Sequence, residues 1–237
     1  MESLQILALA LGAAWASGIN LYATVTLLGV LNMVGVVPLP DEMQILSNPL
    51  VLAAAATLFF VEFLADKIPA VDSLWDAIHT FIRIPAGALM AVGAADGFGG
   101  EVMGEDLETI AALVMGGTLA ASSHLTKATS RAVINTSPEP FSNWFASFFE
   151  DFLAIGGVLL AVFNPLVFLG LLALFVLLAI WLVPKLWRVL RFLLSKLGIG
   201  SPPKEDIGAA IAPNGLVIRG RPAMGSNGGP PAKLDDQ

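Results

Sequence analysis

Long apolar segments dominate the chain, and their length is the first indication of its class. A helix needs about 20 predominantly apolar residues to cross a hydrocarbon core about 30 Å thick. Six segments approach or exceed that length and are interpreted as membrane spans: Leu4–Val36, Pro49–Ala65, Val71–Ala95, Ile110–Val133, Phe141–Phe163 and Pro165–Val183. The pattern therefore predicts an all-α fold, an integral membrane helical bundle of about six transmembrane helices.

Three of these spans contain residues that disturb a straight helix. The first is longer than one straight span requires, and Gly18 and Asn20 weaken its middle, where it can tilt or break. The third has Pro85 between a polar first half and an Ala/Gly-rich second half, which predicts a kinked or partly re-entrant helix. The sixth is followed by Pro184, where we expect the helix to end.

The positions of Lys and Arg predict that the N- and C-termini are both cytoplasmic. Cytoplasmic loops carry an excess of these residues, and a basic run at 185–196 follows the sixth span directly. Lys67 and Arg131 lie at helix ends that six spans place on the same side. The segments assigned to the other side, 37–48 and 96–109, contain neither Lys nor Arg.

The composition agrees with a membrane protein and excludes several functional classes. Hydrophobic residues make up 56% of the chain and charged residues 13%, about half the charge of a soluble domain. The absence of cysteine excludes disulfide scaffolds, thiol enzymes and cysteine-ligated zinc or iron–sulfur sites. A formal net charge of −7 argues against nucleic acid as a partner.

Changes in composition divide the chain into three parts. Residues 1–184 form the predicted transmembrane domain. Residues 185–197 alternate basic residues with Trp187 and Phe192, which favours a basic interfacial helix beside anionic headgroups or, more simply, a positive-inside anchor. Residues 198–237 are rich in Gly, Pro, Ala and Asp and are predicted to be a disordered cytoplasmic tail.

Two pairs of segments indicate an internal repeat. The similar pairs are 16–24 with 121–129 and 59–65 with 148–154. They align the halves 1–97 and 108–184, and three helices per half make the second half enter the membrane from the opposite side, as in many transporters. A rival register also matches; it aligns Pro69, Ser73 and Trp75 with Pro138, Ser142 and Trp144. Both registers stay open on the sequence alone.

Ionisable residues recur at helical spacing inside the spans. A charged residue near the bilayer centre costs about 2.5–3.5 kcal/mol on insertion scales, so such residues face the bundle interior or a wet cavity. In the third span, Asp72, Asp76, His79 and Arg83 follow spacings of four, three and four and share one helix face. Acidic stripes on spans 2, 3 and 5 can meet a basic stripe on span 4. The candidate pathway residues are Asn20, Glu62, Asp66, Asp72, Asp76, His79, Arg83, His124, Lys127, Arg131, Asn135, Asn143, Glu150 and Asp151.

The stripes favour a small-solute or ion transporter or permease with a polar cavity lined by helices 2–5. Glu62, Asp66 or Glu150 would exchange a proton or cation, and the basic residues would serve as counter-ions or anion sites. The alternative is a non-transporting membrane scaffold or lipid-handling protein whose charges are structural ion pairs. The expected partners are membrane lipids, an unidentified small solute or ion and, because Ala/Gly-rich faces allow close packing between protomers, a second copy of the chain.

An enzymatic function has little support in the sequence. HExxH, GxSxG and phosphate-binding glycine motifs do not occur. His79 with Asp72 and Asp76, or His124 with acids across the bundle, leaves an intramembrane metal-dependent hydrolase as a third alternative. We therefore expect no catalytic residues, no cofactor and no metal.

Four motifs, taken together and in order, resemble a known family. They are the segments Ser17–Ala23, Val61–Pro69, Asp72–Arg83 and Asn135–Asn143. They resemble an uncharacterised multi-pass membrane family found mainly in bacteria, "domain of unknown function four-one-two-six", over roughly residues 5–180. The resemblance implies an integral protein of the bacterial cytoplasmic (inner) membrane without an assigned biochemical role. The motifs coincide with the polar stripes.

Overall fold

The computed structural model describes residues 3–95, 104–135, 141–196, 210–211 and 217–218. Within these ranges the first unit of the chain, residues 1–197, is helical. Its helices are α1 (Ser3–Met33), a 3₁₀ helix (Asp41–Ser47), α2 (Pro49–Ala65), α3 (Pro69–Ala95), α4 (Glu105–Ile134), α5 (Phe141–Phe163) and α6 (Pro165–Lys196). The prediction of an all-helical transmembrane region is confirmed at this level.

The second unit, residues 198–237, is described only at four residues. β1 (Ala210–Ile211) and β2 (Val217–Ile218) pair in antiparallel fashion, with Ala210 opposite Ile218. The rest of the segment predicted to be a disordered tail lies outside the described residues.

Helix α1 is the central element of the bundle. It contacts all five other α-helices, and small residues such as Ala8, Ala14 and Ala16 are completely buried along it. Small side chains let neighbouring helix backbones approach closely, which is the usual basis of helix packing in lipid. Trp15 then fills the space toward α6, with its ring 5.5 Å from Phe175 in an edge-to-face arrangement.

Helix α1 breaks at Asn20, as the sequence predicts. Asn20 has non-helical angles of φ −145° and ψ 97°. Its Oδ1 accepts a hydrogen bond from the Ala23 N–H at 2.9 Å, the geometry of an N-cap that restarts the helix. The Thr24 hydroxyl donates to the Asn20 carbonyl at 2.8 Å. The break is therefore a defined structure held by hydrogen bonds, at the middle of the span.

The other helices cover the predicted segments, with differences around their prolines. Helix α2 has the predicted bounds, and α3 runs continuously through Pro85, so the third span is not interrupted as a re-entrant segment would be. Helix α6 also continues through Pro184 to Lys196. The predicted helix end, and with it a separate helix at 185–197, is wrong. A proline removes one hydrogen bond, here to the Ile180 carbonyl, and long apolar helices tolerate that loss.

Several of these helices have the properties of membrane spans. By length and composition, α1, α3, α5 and α6 are long and apolar enough to cross a membrane. A fifth span results if the 3₁₀ helix and α2, which meet at 64°, are counted as one bent span. Large apolar side chains such as Leu166, Phe152 and Ile180 are exposed on the outside of the bundle. A surface with so many large apolar side chains is the reverse of that of a water-soluble protein and indicates that lipid surrounds the bundle.

Close contacts among α1, α3 and α4 position the polar residues. A Cβ atom added at Gly87 of α3 would lie 2.5 Å from Ala120 Cβ of α4 and 2.5 Å from Ser17 Oγ of α1. Only glycine allows this approach. Arg83 lies one turn before Gly87 and His124 one turn after Ala120, so the contact brings their side chains together.

Candidate functional site

Arg83 lies at the centre of a buried cluster of charged side chains. Its side chain has no exposed surface. The Arg83 Nη2 donates to Glu62 Oε1 of α2 at 2.5 Å, and Nη1 donates to Asp76 Oδ1 at 3.1 Å. Asp76 lies two helical turns earlier on the same face of α3. Arg83 thus joins two buried carboxylates through its planar fork, which a lysine could not reproduce.

Lys127 of α4 approaches the same carboxylates from the other side. Its Nζ is 3.2 Å from Glu62 Oε1, 3.3 Å from Asp66 Oδ2 and 3.8 Å from Asp76 Oδ1. A fourth carboxylate, Glu150 of α5, lies 3.7 Å from the ammonium. The ammonium is therefore shared among acids from three helices.

The break in α1 supplies Lys127 with a backbone ligand. In an uninterrupted helix the Ile19 carbonyl would accept from the Ala23 N–H. Here that N–H is bonded to Asn20 Oδ1, and the Ile19 carbonyl accepts from Lys127 Nζ at 3.2 Å. The carbonyl freed at the helix break thus becomes part of the charged cluster.

Arg131 of α4 links the C-terminal end of α2 to α5. Its Nε and Nη2 donate to the two oxygens of Glu150 at 2.9 and 2.8 Å, a bidentate pair. Its Nη1 donates to Asn143 Oδ1 and to the backbone carbonyl of Asp66, the C-cap residue of α2. Asp72 Oδ1 lies 3.9 Å from Arg131 Nε, and Asp72 Oδ2 accepts from Asn135 at 2.8 Å.

The two histidines are held by hydrogen bonds that assign their neutral tautomers. The Thr80 hydroxyl donates to the Asp76 carbonyl, so it accepts from His124 Nε2 at 2.7 Å. His124 Nδ1 is then the acceptor that faces Arg83 Nη1 at 3.4 Å. His79 Nδ1 donates to the Trp75 carbonyl, and its Nε2 accepts from the Tyr22 hydroxyl at 2.8 Å.

Lys67 lies at the rim of the cluster, in the turn after α2. Its Nζ donates to the Phe63 carbonyl and lies 3.1 Å from the centre of the Phe63 ring and 4.8 Å from that of Phe148. Partial burial lowers the pKa of its ammonium from the usual value, while the carboxylates of Asp151 and Asp66 oppose this shift. The two aromatic rings thus hold a cation at the edge of an acidic site.

The cluster contains more acids than bases. Within the part of the chain that the structure describes, its carboxylates are Glu62, Asp66, Asp72, Asp76 and Glu150, and its buried cations are Arg83, Lys127 and Arg131. Five carboxylates against three cations leave an excess of two, or of one if Lys67 is counted. Among the described residues, one oxygen each of Glu62, Asp66, Asp72 and Asp76 is buried without a hydrogen-bond partner. Uncompensated charge is costly in a desolvated site, so the excess must be neutralised by protons or cations.

An open crevice runs beside the cluster between α1, α4, α5 and α6. Its wide part has a volume of about 490 Å³ and apolar walls that include Phe152, Gly156 and Phe168. Its narrow part, about 200 Å³, reaches Lys127 and Glu150. Trp15, Leu153 and Phe175 line both parts, so the two parts adjoin each other. This space borders α1 and α6 as well as α4 and α5, a different position from a cavity lined by helices 2–5.

The structure brings most of the predicted site residues together. One connected network of ion pairs and hydrogen bonds contains eleven of them: Glu62, Asp66, Asp72, Asp76, Arg83, His124, Lys127, Arg131, Asn135, Asn143 and Glu150. Asn20 and Asp151 form a separate pair, Nδ2 to Oδ1 at 2.9 Å, next to this network. His79 instead stacks on Trp75, with ring centres 4.2 Å apart, and bonds Tyr22.

Sequence reasoning missed Thr80 and Tyr22. Thr80 lies four residues after Asp76 on the polar face of α3, so helical spacing could have identified it. Tyr22 is the single tyrosine of the chain and follows the break in α1, but no spacing rule links it to His79. No group of three or more potential metal ligands occurs within the described ranges.

Comparison with known protein families gives a match over most of the chain. The family model described as "Domain of unknown function (DUF4126)" matches residues 7–185. The chain belongs to this family. The resemblance of its motifs is thereby confirmed, and the matched region covers α1 to most of α6 and therefore every residue of the cluster. No curated protein and no solved structure matches the chain.

Proposed function

We propose that this DUF4126 protein is a proton- or cation-coupled transporter of the bacterial cytoplasmic membrane. The observation that carries the proposal is the excess of buried carboxylates over buried cations in one connected cluster. Such a cluster changes its charge when a proton or cation enters or leaves it, which is the basic requirement of ion coupling. The crevice at Glu150 gives a solute a route to the same groups.

The break in α1 supports the same proposal. Transporters commonly place their ion sites near the bilayer midplane, where discontinuous helices free backbone carbonyls to act as ligands. The Ile19 carbonyl is such a group, and its partner Lys127 contacts the acids of the cluster. In this proposal six helices span the membrane, both termini are cytoplasmic, and the cluster lies in the cytoplasmic half of the bundle.

Contacts between α1 and α4 support an inverted repeat as part of this proposal. The alignment of 16–24 with 121–129 pairs Gly18 with Ser123 and, by extension, Trp15 with Ala120. Ser123 Oγ donates to the Trp15 carbonyl at 2.8 Å. A side chain at Gly18 would meet Ser123 Oγ and the Ala120 carbonyl. Position 15 therefore contacts position 123, the counterpart of 18, and position 18 contacts position 120, the counterpart of 15. A two-fold relation between the halves requires such a matched pair of contacts.

Flux measurements in liposomes test the proposed transport. Purified protein is reconstituted in vesicles that contain a dye selective for the ion under test, and proton, sodium, potassium and chloride gradients are imposed in turn. We expect at least one gradient to collapse tenfold faster than in empty vesicles, and Glu62→Gln to abolish that difference because Glu62 bridges Arg83 and Lys127. Glu42→Gln, the same change at an exposed acid of the 3₁₀ helix, is the control. Wild-type vesicles that match empty ones in every gradient would contradict transport.

A non-transporting membrane scaffold is the second candidate function. The direct contacts between oppositely charged or polar side chains of different helices favour it. Arg131 and Glu150 form a bidentate pair, and Asn20 bonds Asp151 at 2.9 Å. Such contacts hold helices in register whether or not a solute passes.

Exchanging the two residues of the Asn20–Asp151 pair distinguishes a scaffold from a transporter. The double variant Asn20→Asp with Asp151→Asn keeps an amide-to-carboxylate bond and leaves an acceptor for the Ala23 N–H. We expect it to unfold at the wild-type temperature, whereas Asp151→Ala loses about 1–3 kcal/mol because it strands the Asn20 amide. If the protein is a scaffold, cells that produce the exchanged variant should grow like wild-type cells. Neither the wild type nor the exchanged variant should then show flux in liposomes. A stable exchanged protein with altered flux is the result that excludes the scaffold.

A further inference from the structure

The crevice beside the cluster has two chemically different ends. The wide end is bordered by aromatic and aliphatic side chains of α5 and α6, among them Phe168 and Leu172. The narrow end is bordered by Ser123, Thr126 and Glu150. With a wide part of about 490 Å³, the crevice falls within the volume of small-molecule sites, about 300–1,000 Å³. Its shape and polarity match a molecule with an apolar body and one polar end.

Hydrogen bonds at the narrow end show which kind of polar group would fit there. The Thr126 hydroxyl donates to the Ser122 carbonyl at 2.7 Å, and the Ser123 hydroxyl donates to the Trp15 carbonyl at 2.8 Å. Both hydroxyl protons are therefore engaged, so these oxygens offer lone pairs as acceptors. Lys127 Nζ is taken up by carboxylates and the Ile19 carbonyl. These groups thus present acceptors, and Ser130, which also lines the narrow end, has a hydroxyl that can donate or accept.

The charge of the cluster selects among donors. Glu150 is the most exposed of its paired carboxylates, at 12% of its side-chain surface, and lies in the wall of the crevice. Because the cluster has more carboxylates than cations, a cationic donor is favoured over a neutral one and an anion is repelled.

We propose that the crevice binds a linear amphiphilic amine, with its ammonium at Glu150 and its alkyl chain along the apolar wall formed by α5 and α6. This inference names a substrate class and rests on the proposed function, since the same acid excess carries both. The amine replaces a proton or cation at the narrow end, and its chain fills the wide end.

Two glycines, one in α5 and one in α6, provide a way to test the site without disturbing the fold. A Cβ added at Gly156 meets nothing within 4 Å, and Gly156 lines the crevice. A larger side chain at this position therefore fills the crevice and leaves the helix packing unchanged. Gly170 of α6 is equally unobstructed but does not line the crevice, so Gly170→Leu is the matched control for Gly156→Leu.

Calorimetric titration of the full chain in phosphatidylcholine nanodiscs tests the site, with empty nanodiscs subtracted. The probes are dodecylammonium and dodecanoate, which share a chain length and differ in charge. We expect saturable binding of dodecylammonium to wild type and Gly170→Leu, at least tenfold weaker binding to Gly156→Leu and Glu150→Gln, and no saturable binding of dodecanoate. Thermal unfolding of each variant establishes that it is folded.

The outcomes separate this inference from the proposed transport. Equal binding of both probes, or unchanged amine binding by Gly156→Leu, overturns the inference and marks the crevice as a place for bilayer acyl chains. Gradient-driven flux without amine binding overturns the substrate class and leaves transport standing. Saturable amine binding without flux in any gradient has the opposite meaning: the site is established and transport is wrong.

Discussion

Replacing Arg83 with methionine should destabilise the protein by about 3–5 kcal/mol, the usual cost of removing one partner from a buried ion pair. Arg83 is completely buried, and its guanidinium contacts Glu62 and Asp76 directly. Without it, two carboxylates in the interior share only the ammonium of Lys127. Because the free energy of unfolding of most proteins is about 5–15 kcal/mol, the loss is a large part of the total.

Denaturant titration in mixed micelles, followed by tryptophan fluorescence, measures this loss. Arg188→Met removes an exposed arginine of α6 and should change the free energy of unfolding by less than about 0.5 kcal/mol. The triple variant Arg83→Met, Glu62→Gln, Asp76→Asn removes the unpaired charges together with the cation. It should regain at least half of the lost stability. An Arg83→Met protein as stable as wild type would show that the pairs contribute little, and the excess of carboxylates would then need another explanation.

The stripes that form the cluster follow from the sequence because helical spacing determines which residues share a face. Asp72, Asp76 and Arg83 lie on one side of α3 for that reason alone. Their partners do not follow, because helix rotation and crossing decide which stripe meets which. Spacing allowed Glu62 to pair with any cation of α3 or α4, and the structure pairs it with Arg83 and Lys127.

Two features of the fold, the break in α1 and the continuation of α6 through Pro184, show what can be predicted from the sequence and what cannot. Asn20 is a poor helix former next to Gly18, so the break in α1 could be predicted. The use of the freed Ile19 carbonyl by Lys127 could not, because it depends on α4 lying against the break. Pro184 is the reverse case: its local preference predicts a helix end, and the surrounding apolar residues carry α6 past it.

The contact between α1 and α4 leads to the second large effect, which we expect at Gly18. A methyl group there would overlap Ser123 Oγ and the Ala120 carbonyl. A flexible side chain can move aside, but Ser123 Oγ is held by the Trp15 carbonyl and Ala120 is backbone. Gly18→Ala must therefore separate the two helices, and overpacking of this kind costs about 1–3 kcal/mol. Gly156→Ala, in open space on α5, should gain up to about 1 kcal/mol from its helix propensity.

Separation of α1 from α4 would also move the Ile19 carbonyl away from Lys127, which ties packing to the chemistry of the cluster. We expect Gly18→Ala to slow any gradient-driven flux in liposomes, whereas Gly170→Ala, in open space on α6 and outside the crevice, keeps the wild-type rate. Removing the obstruction provides the decisive comparison. Ser123→Gly takes away the hydroxyl that the new methyl would meet, so the pair Gly18→Ala with Ser123→Gly should recover part of the stability. The Ala120 carbonyl still opposes the methyl group, so recovery should stop short of the wild-type value. Full stability of the single Gly18→Ala variant would mean that α1 and α4 can separate at no cost, and the break at Asn20 would then have no fixed position relative to the acids it contacts.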